Sequence, residues 1–250
     1  MPKIKFSLLS IIGGITLLSS SAYAGVDAEV SYILNTLLFL IGGFLVMWMA
    51  AGFAMLESGL VTSKSVATIA AKNIGLYSIA GLMFWLVGYN LAYGIPEGGF
   101  IGSFLPWSDA SAVDTGYSDG SDWFFQMVFC ATTCSIVSGT LAERIKIWPF
   151  FLFCAILAGV IYPIEMGWQW GGGHLAAAGF SDFAGSTLVH SAGAAAALAG
   201  AILLGPRLGR FTDSGEAAPM APFASSSIPL ATLGVFILWM GWFGFNGGSQ

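Results

Sequence analysis

The sequence predicts an all-α protein that crosses a membrane several times. Of its 250 residues, 56% are hydrophobic and only 8% are charged, whereas about a quarter of the residues in a typical soluble domain are charged. Several apolar stretches reach the ~20 residues that a membrane helix needs. The sequence lacks the sustained alternation of polar and apolar residues that a transmembrane barrel requires. The 34 glycines are typical of membrane helices whose backbones pack closely.

The first 24 residues have the three parts of a secretory signal peptide. Two lysines near the start precede an apolar run over residues 8–18, and Ala22-Tyr23-Ala24 supplies a small-residue cleavage site. We therefore expect residues 1–24 to be removed, leaving residues 25–250 as one membrane domain. A seventh membrane helix is the alternative, but the apolar core is short and polar serines follow it.

Six further apolar segments are long enough to be membrane spans. With a signal peptide before them, the first span runs inward and the sixth runs outward. We place the spans at about residues 31–55, 66–94, 123–141, 148–166, 186–205 and 229–248.

The basic residues after the signal peptide test this topology. All of them fall in, or at the edge of, loops on one side, while the other loops carry only acidic charges. Positive loops mark the cytoplasmic side, so we expect a multi-pass protein of the inner (plasma) membrane with its mature N-terminus outside. The net charge of −5 argues against a nucleic-acid partner. The basic residues are Lys64, Lys72, Arg144, Lys146, Arg207 and Arg210.

His190 lies inside a predicted span. The segment around it, Ser186 to Leu204, otherwise contains small and apolar residues without a charge. An ionisable group at membrane depth is costly, so His190 is a functional-site hypothesis, and an imidazole can hold or relay a proton near physiological pH. The alternative is a core histidine whose hydrogen bonds are satisfied by a neighbouring helix.

Three aromatic clusters fall at the same predicted membrane level, near the outer ends of the spans. Phe125 and Phe129, four residues apart, share one helical face. Trp168 and Trp170 precede the fifth span, and Trp242-Phe243-Gly244-Phe245 ends the sixth. Aromatic faces attract cations by roughly 0.5–2 kcal/mol each. An interfacial aromatic belt that binds nothing explains the clusters equally well.

A cation collected at these rings cannot cross an apolar pore intact, because burying an unpaired ammonium costs far more than the ring contacts return. A protonated amine can instead release its proton and cross as a neutral molecule, and Ser249 can accept a hydrogen bond from it beforehand. These features together predict ammonium rather than a metal ion as the ligand. The three cysteines match no zinc spacing, and we predict neither a metal nor a cofactor.

Asp182 comes just before the fifth span. A carboxylate there can accept hydrogen bonds from backbone N–H groups and oppose the helix dipole, which is the role we expect. Direct contact with a cation is the alternative, since the negative charge would help to draw cations in.

Four segments, in the expected order along the chain, resemble the ammonium transporter family (Amt/Mep/Rh), in particular its bacterial and plant Amt branch. They are spread along nearly all of the chain after the signal peptide, so the resemblance does not rest on one short motif. The segments are AGFAMLESGLV at 51–61, LAERI at 141–145, DFAGSTLVH at 182–190 and WMGWFGFNGGS at 239–249.

The resemblance implies roles for most of the candidate residues. One group forms an outer ammonium site, a second forms a stacked phenylalanine gate, and His190 is the first of two pore histidines. The residues are Phe129, Trp170 and Ser249 for the outer site; Phe125, Phe129 and Phe245 for the gate, beside Gln126; His190 for the pore relay; and Asp182 as the buried carboxylate that organises recruitment.

The family fold implies an Amt-like helical bundle of eleven spans, with two inverted five-helix repeats and a final helix. This chain supplies the first five-helix repeat and the first helix of the inverted second repeat. We therefore expect a fragment or truncated product that does not conduct alone. The family also implies a homotrimer with one pore in each subunit and a cytoplasmic PII-type regulatory protein.

Three other function classes compete with ammonium transport. An ammonium sensor would keep the outer site but signal instead of transporting. A channel for water or small polyols is disfavoured because the sequence has no Asn-Pro-Ala pair. An enzyme is disfavoured because His190 has no recognisable set of nucleophile and carboxylate around it.

Overall fold

A computed structural model describes residues 27–110, 112–212, 214–217, 219 and 223–250. The predicted signal peptide, residues 1–24, lies outside this part of the chain. Within it, six helices are long and apolar enough to cross a membrane, and the β geometry consists of one isolated bridge between Phe211 and Ala217. The predicted all-α, multi-pass fold is confirmed.

The six membrane-length helices are numbered α1 to α6. Short helical segments at Val113–Thr115 and His174–Ala177 lie in the connections between them. The bounds are Ala28–Leu60 for α1, Ser63–Tyr93 for α2, Asp119–Leu141 for α3, Ile147–Gly167 for α4, Ser186–Leu204 for α5 and Ile228–Gly248 for α6.

Three helices begin three or more residues before their predicted starts, and α2 is one of them, at Ser63 instead of residue 66. Helix α1 begins three residues earlier than predicted, where the Asp27 side chain accepts a hydrogen bond from Glu29 N at 3.0 Å. It also continues past residue 55, because Glu57 in its last turns is paired inside the protein and does not break the helix. Helix α3 begins at Asp119 instead of residue 123.

The predicted position of Lys72 at the edge of a loop is wrong. Lys72 is buried in α2, where its Nζ lies 3.1 Å from Glu57 Oε2 and donates a hydrogen bond to Ser138 O at 2.8 Å. A buried charge is tolerated when it is paired and hydrogen-bonded. Lys72 is therefore part of the helix packing and does not report on which loops are positive.

Helix α3 is the central helix of the bundle. It packs against α1, α2 and α5 and is buried along most of its length, whereas less than half of each of the other five helices is buried. The core is formed by apolar side chains from α3 and its neighbours, including Phe129, Phe150 and Tyr162. The candidate site residues on α3 are thus held from several sides.

Helices α1 and α6 run antiparallel and pack through glycines. A Cβ atom added to Gly234 would lie 2.6 Å from Gly52 O, and one added to Gly244 would lie 2.5 Å from Gly42 O. Real Cβ atoms do not approach backbone oxygens this closely, so only glycine allows the two backbones to come together. Close packing through small residues is the usual way in which membrane helices associate.

Three of the helices contain a π-helical turn within the described residues. These turns are Phe84–Gly88 in α2, Leu157–Ile161 in α4 and Ser186–Ser191 in α5. The turn in α5 follows Gly185, which has a left-handed backbone with φ of 92°. π turns are frequent at functional sites, and this one contains His190.

The glycine contact between α1 and α6 can be tested by Gly234→Ala. We expect the added methyl group to destabilise the protein by about 1–3 kcal/mol, because it must push apart two backbones with no side chain to yield. Thermal unfolding in detergent measures the effect. Gly247→Ala in the same helix is the matched control, since a Cβ there meets nothing within 4 Å. Equal unfolding temperatures for the two variants would contradict this account of the packing.

Candidate functional site

A cavity of about 440 Å³ lies between the first turns of α1 and α3 and the last turn of α6. We call it the aromatic cavity, because rings form most of its wall. Four of the predicted site residues, together with Gln126, line it. The lining residues are Asn35, Leu38, Phe39, Tyr93, Tyr117, Phe125, Gln126, Phe129, Trp170, Phe183, Gly248, Ser249 and Gln250.

Phe129 and Phe245 close the deep end of the aromatic cavity. Both are almost fully buried, and their ring centroids are 4.2 Å apart with an interplanar angle of 50°. The rings are therefore tilted against each other and not stacked in parallel as the resemblance implied. Phe125 meets Phe129 edge-on at 4.7 Å, so three rings form one continuous barrier.

The polar groups of Trp170 and Ser249 are both anchored to the backbone. Trp170 Nε1 donates to Asp182 O at 2.7 Å, which fixes its ring 5.7 Å from that of Phe129. Ser249 Oγ donates to Phe245 O at 2.7 Å, one turn earlier in its helix. Because that bond uses the hydroxyl hydrogen, the Ser249 oxygen is left as an acceptor for a donor in the cavity.

His190 lies behind the phenylalanine barrier. Its ring centroid is 5.7 Å from that of Phe245 and 4.7 Å from that of Trp242. Nδ1 is 3.1 Å from Gly185 O, so a proton on Nδ1 is assigned from this hydrogen bond. Nε2 then carries the lone pair and is the nitrogen that can accept a proton.

Asp182 acts as a cap for α5. Its Oδ1 accepts from the backbone N–H groups of Gly185 at 2.9 Å and Ser186 at 3.1 Å, and its Oδ2 accepts from Thr187 at 2.7 Å and Leu188 at 2.9 Å. Four orphan donors of a helix start are thus satisfied by one buried carboxylate. The same carboxylate fixes the left-handed turn at Gly185, which comes just before the π turn that contains His190. The backbone carbonyl of Asp182 is the acceptor for Trp170 Nε1.

The wall of the aromatic cavity also contains groups that were not predicted. Phe39 stacks on Phe125 at 5.4 Å and meets Tyr117 edge-on at 4.9 Å. Burial raises the pKa of Tyr117, and the nearby carboxylates of Asp122 and Asp119 add to the rise, so its phenol keeps its proton. No motif in the sequence marked these residues, because their proximity depends on how α1 packs against α3.

A second cavity, of about 460 Å³, lies at the other end of α1 and α3. We call it the charged cavity. The sequence reasoning missed it, although two charges at the edges of predicted apolar segments, Glu57 and Lys72, were a usable signal. The lining residues are Phe53, Leu56, Glu57, Leu60, Val61, Ser135, Ile136, Gly139, Thr140, Ala142, Glu143, Arg144 and Arg207.

Glu143 joins three loops at the mouth of the charged cavity. Its carboxylate accepts from Thr62 N at 3.1 Å, from the Thr62 hydroxyl, from Ser65 Oγ at 2.8 Å and from Arg207 Nη1 at 2.5 Å. Burial raises the pKa of Glu143, but the hydrogen bonds from Thr62, Arg207 and Ser65 outweigh it and lower the pKa to about 2. Its backbone has a φ of 61°, a conformation rare for residues other than glycine.

These features define a class of protein: a helical membrane bundle with an aromatic cavity above a half-buried histidine. Residues 37–250 match the Ammonium Transporter Family, and the chain belongs to that family. Ammonium transporter Amt2 of Archaeoglobus fulgidus is 43% identical over 225 residues, which are 84% of this chain and 46% of that protein.

Solved structures of the same family agree. A sensor Amt protein matches with a TM-score of 0.80 and 36% identity, over 88% of this chain and 55% of that one. Mep2 of Candida albicans matches with a TM-score of 0.74 and 27% identity, over 90% of this chain and 50% of that one. The chain thus spans about half the length of the relatives it matches.

The cap on α5 can be tested by Asp182→Ala. We expect the unfolding free energy to fall by more than about 2 kcal/mol, because several backbone donors lose a charged acceptor. The unfolding free energy of Asp182→Asn should lie between those of the unmodified protein and Asp182→Ala, since one side-chain oxygen remains. Thermal unfolding in detergent measures both, with the exposed Glu97→Ala as the control for loss of a carboxylate. Stability equal to that control would show that the hydrogen bonds around Asp182 contribute little.

Proposed function

We propose that the protein to which this chain belongs moves ammonium across a membrane. The observation that carries the proposal is the spatial order of three features: an aromatic cavity, then a barrier of phenylalanines, then a histidine behind the barrier. Family membership supports the same substrate. The activity is assigned to the whole protein, since the chain spans about half the length of its relatives.

Recruitment takes place in the aromatic cavity. The ring faces of Trp170 and Phe129 attract an ammonium ion by roughly 0.5–2 kcal/mol each. Ser249 Oγ accepts a hydrogen bond from one of the ion's N–H groups. The ammonium ion carries four N–H donors, so an acceptor at one side and rings at the others suit it better than they suit a metal cation. Asp182 acts indirectly, by holding the Trp170 side chain through its backbone carbonyl.

Passage beyond Phe129 and Phe245 requires the loss of charge. The barrier is apolar, and burying an unpaired ammonium there is far more costly than burying neutral ammonia. We infer that the N–H bond breaks before or at the barrier, that ammonia keeps the electron pair, and that the proton passes to the chain of acceptors that includes His190 Nε2. His190 is well suited because the hydrogen bond of Nδ1 to Gly185 fixes its tautomer.

The location and assembly of the protein form part of the proposal. We infer an inner (plasma) membrane location with the aromatic cavity and mature N-terminus outside, because Lys64, Lys146 and Arg210 lie at the opposite end. We also propose a cleaved signal peptide at residues 1–24, from the pattern of charged, apolar and small residues there, which leaves a membrane domain over residues 25–250. The homotrimer and the PII-type regulatory partner follow from the family resemblance.

A second candidate function is ammonium sensing. The similarity to a sensor Amt protein favours it. A sensor would bind ammonium in the aromatic cavity with no flux through the barrier. Reconstitution of the protein from its host membranes into liposomes, followed by measurement of ammonium flux and ammonium binding on the same sample, separates the two functions.

Recruitment is tested by Trp170→Leu. We expect the half-saturating ammonium concentration, measured on the side of the membrane where the aromatic cavity lies (the aromatic face), to rise roughly fivefold, because one ring–cation contact is lost. Trp170→Phe keeps an aromatic face and should restore most of the affinity. The control is Trp148→Leu, which removes an exposed tryptophan far from the cavity. An unchanged half-saturation in Trp170→Leu would exclude this residue from recruitment.

The relay is tested by His190→Ala. We expect a loss of proton-coupled flux or of selectivity against other cations, because His190 is the one histidine within the membrane helices of the described residues. Flux and reversal potential across liposomes that hold the reconstituted protein measure both properties. His174→Ala is the control, as His174 stacks on Phe100 outside the membrane helices. Wild-type flux and selectivity in His190→Ala would count against the relay.

A further inference from the structure

The charged cavity contains a buried acceptor that lacks a donor. Glu57 is only 4% exposed. Its Oε2 is fully engaged, by Lys72 Nζ at 3.1 Å, Ser138 Oγ at 2.9 Å and Asn73 Nδ2 at 3.2 Å. Its Oε1 has no hydrogen-bond partner among the described residues. An unpaired buried carboxylate oxygen is costly, so this atom needs a donor from outside the chain's own contacts.

Oε1 is itself buried, and because residue 139 is a glycine no side chain at that position covers the carboxylate. The carboxylate lies against Gly139, and a Cβ atom there would be 3.8 Å from Oε1 and 3.6 Å from Glu57 Cγ. Both residues line the charged cavity, together with Ser135 and Thr140. Its volume of about 460 Å³ is far more than a small molecule of one heavy atom needs.

The charges around the cavity decide what kind of donor fits. Glu57 is paired with Lys72, and Glu143 is paired with Arg207. Arg144 donates to Gly205 O at 3.2 Å. Two carboxylates therefore face three cations, and the formal charge of +1 around the cavity favours a neutral N–H donor over a cation. Oε1 is a hydrogen-bond acceptor on an already neutralised carboxylate, which suits a small N–H donor.

The site lies at the opposite end of α1 and α3 from the aromatic cavity. Phe39 and Glu57 are both on α1, 18 positions apart, which corresponds to about 27 Å along the helix axis. A molecule that has crossed the barrier would reach Glu57 on its way out. Neutral ammonia has three N–H donors and ammonium has four, and both match a single oxygen acceptor.

We propose that Glu57 Oε1 is a second binding site for ammonia or ammonium, at the far mouth of the path. Gly139 places no side chain against the carboxylate, and the contacts of Lys72, Ser138 and Asn73 hold it in place. This inference rests on the proposed function, because it assigns to the site the molecule that the aromatic cavity recruits.

The key variant is Gly139→Ala, which places a methyl group beside Oε1 in ordinary contact and leaves the ion pair intact. We expect the half-saturating ammonium concentration at the charged-cavity face to rise about five- to tenfold, the change expected from loss of one hydrogen bond. The value at the aromatic face should not change. Initial flux into right-side-out and inside-out vesicles from the host membrane measures the two faces separately.

The matched control is Gly81→Ala on α2. A Cβ at Gly81 also meets only ordinary contacts, at 3.5 Å from Met127 Sδ, and Gly81 does not line the charged cavity. Equal half-saturation for the two variants at both faces would overturn the proposal, and it would mean that water alone occupies the site. Repeating the measurement at two pH values tells ammonia from ammonium, since only the ammonia concentration then changes strongly.

A binding measurement that does not depend on flux separates this inference from the proposed function. The carboxylate stretching band of Glu57, assigned by its loss in Glu57→Gln, should shift when ammonium is added and should not shift when potassium is added. A shift that Gly139→Ala abolishes supports the site even if the protein does not transport. No shift overturns the site. Absence of flux in the unmodified protein overturns the transport proposal alone.

Discussion

The close approach of α1 and α6 is the constraint on which the rest of the structure depends. Glycines on both helices let the backbones touch, and this contact sets the position of the last turn of α6 over α3. There the ring of Phe125 fills the space beside Gly42 and Gly248, where a Cβ would meet it at 3.0 and 2.5 Å. The phenylalanine barrier and the aromatic cavity therefore depend on the absence of side chains at the glycines of α1 and α6. In a membrane, where lipid is as apolar as leucine, such shape complementarity replaces the hydrophobic effect.

The polar residues inside the bundle follow a different rule from those in the loops. Lys72 and Glu57 form an ion pair, and Asn73 and Ser138 donate further hydrogen bonds to Glu57 Oε2. Removing one partner from such a pair leaves an uncompensated charge, which costs far more than the pair contributes. The four residues come from three helices, so the network also fixes the mutual register of α1, α2 and α3. The aromatic cavity at one end and the charged cavity at the other are both consequences of that register.

Much of the fold was predictable from sequence, because membrane spans are recognised by length and apolarity alone. The six helices were found within a few residues, except where Glu57 made α1 seem to end early. The resemblance correctly indicated the family, and the residues it singled out, from Phe129 to Ser249, do lie around one cavity and its deep end. What could not be predicted depends on contacts between distant helices. The tilt of Phe245 against Phe129, the burial of Lys72 and the joining of loops by Glu143 have no signature in any single segment.

Because of the π turn that contains His190, the number of residues in this turn determines how the two parts of α5 are oriented. A π turn holds one residue more than an α turn, so residues before and after Ser186–Ser191 are out of phase by about 100° with respect to a continuous α-helix. Deleting any one residue of this turn would restore α geometry and rotate the capped end of α5 against Ala192–Leu204. Variation by insertion and deletion is therefore restricted here even where the individual side chains are replaceable, and related chains should keep the spacing from Asp182 to His190 more strictly than the identity of the residues between them.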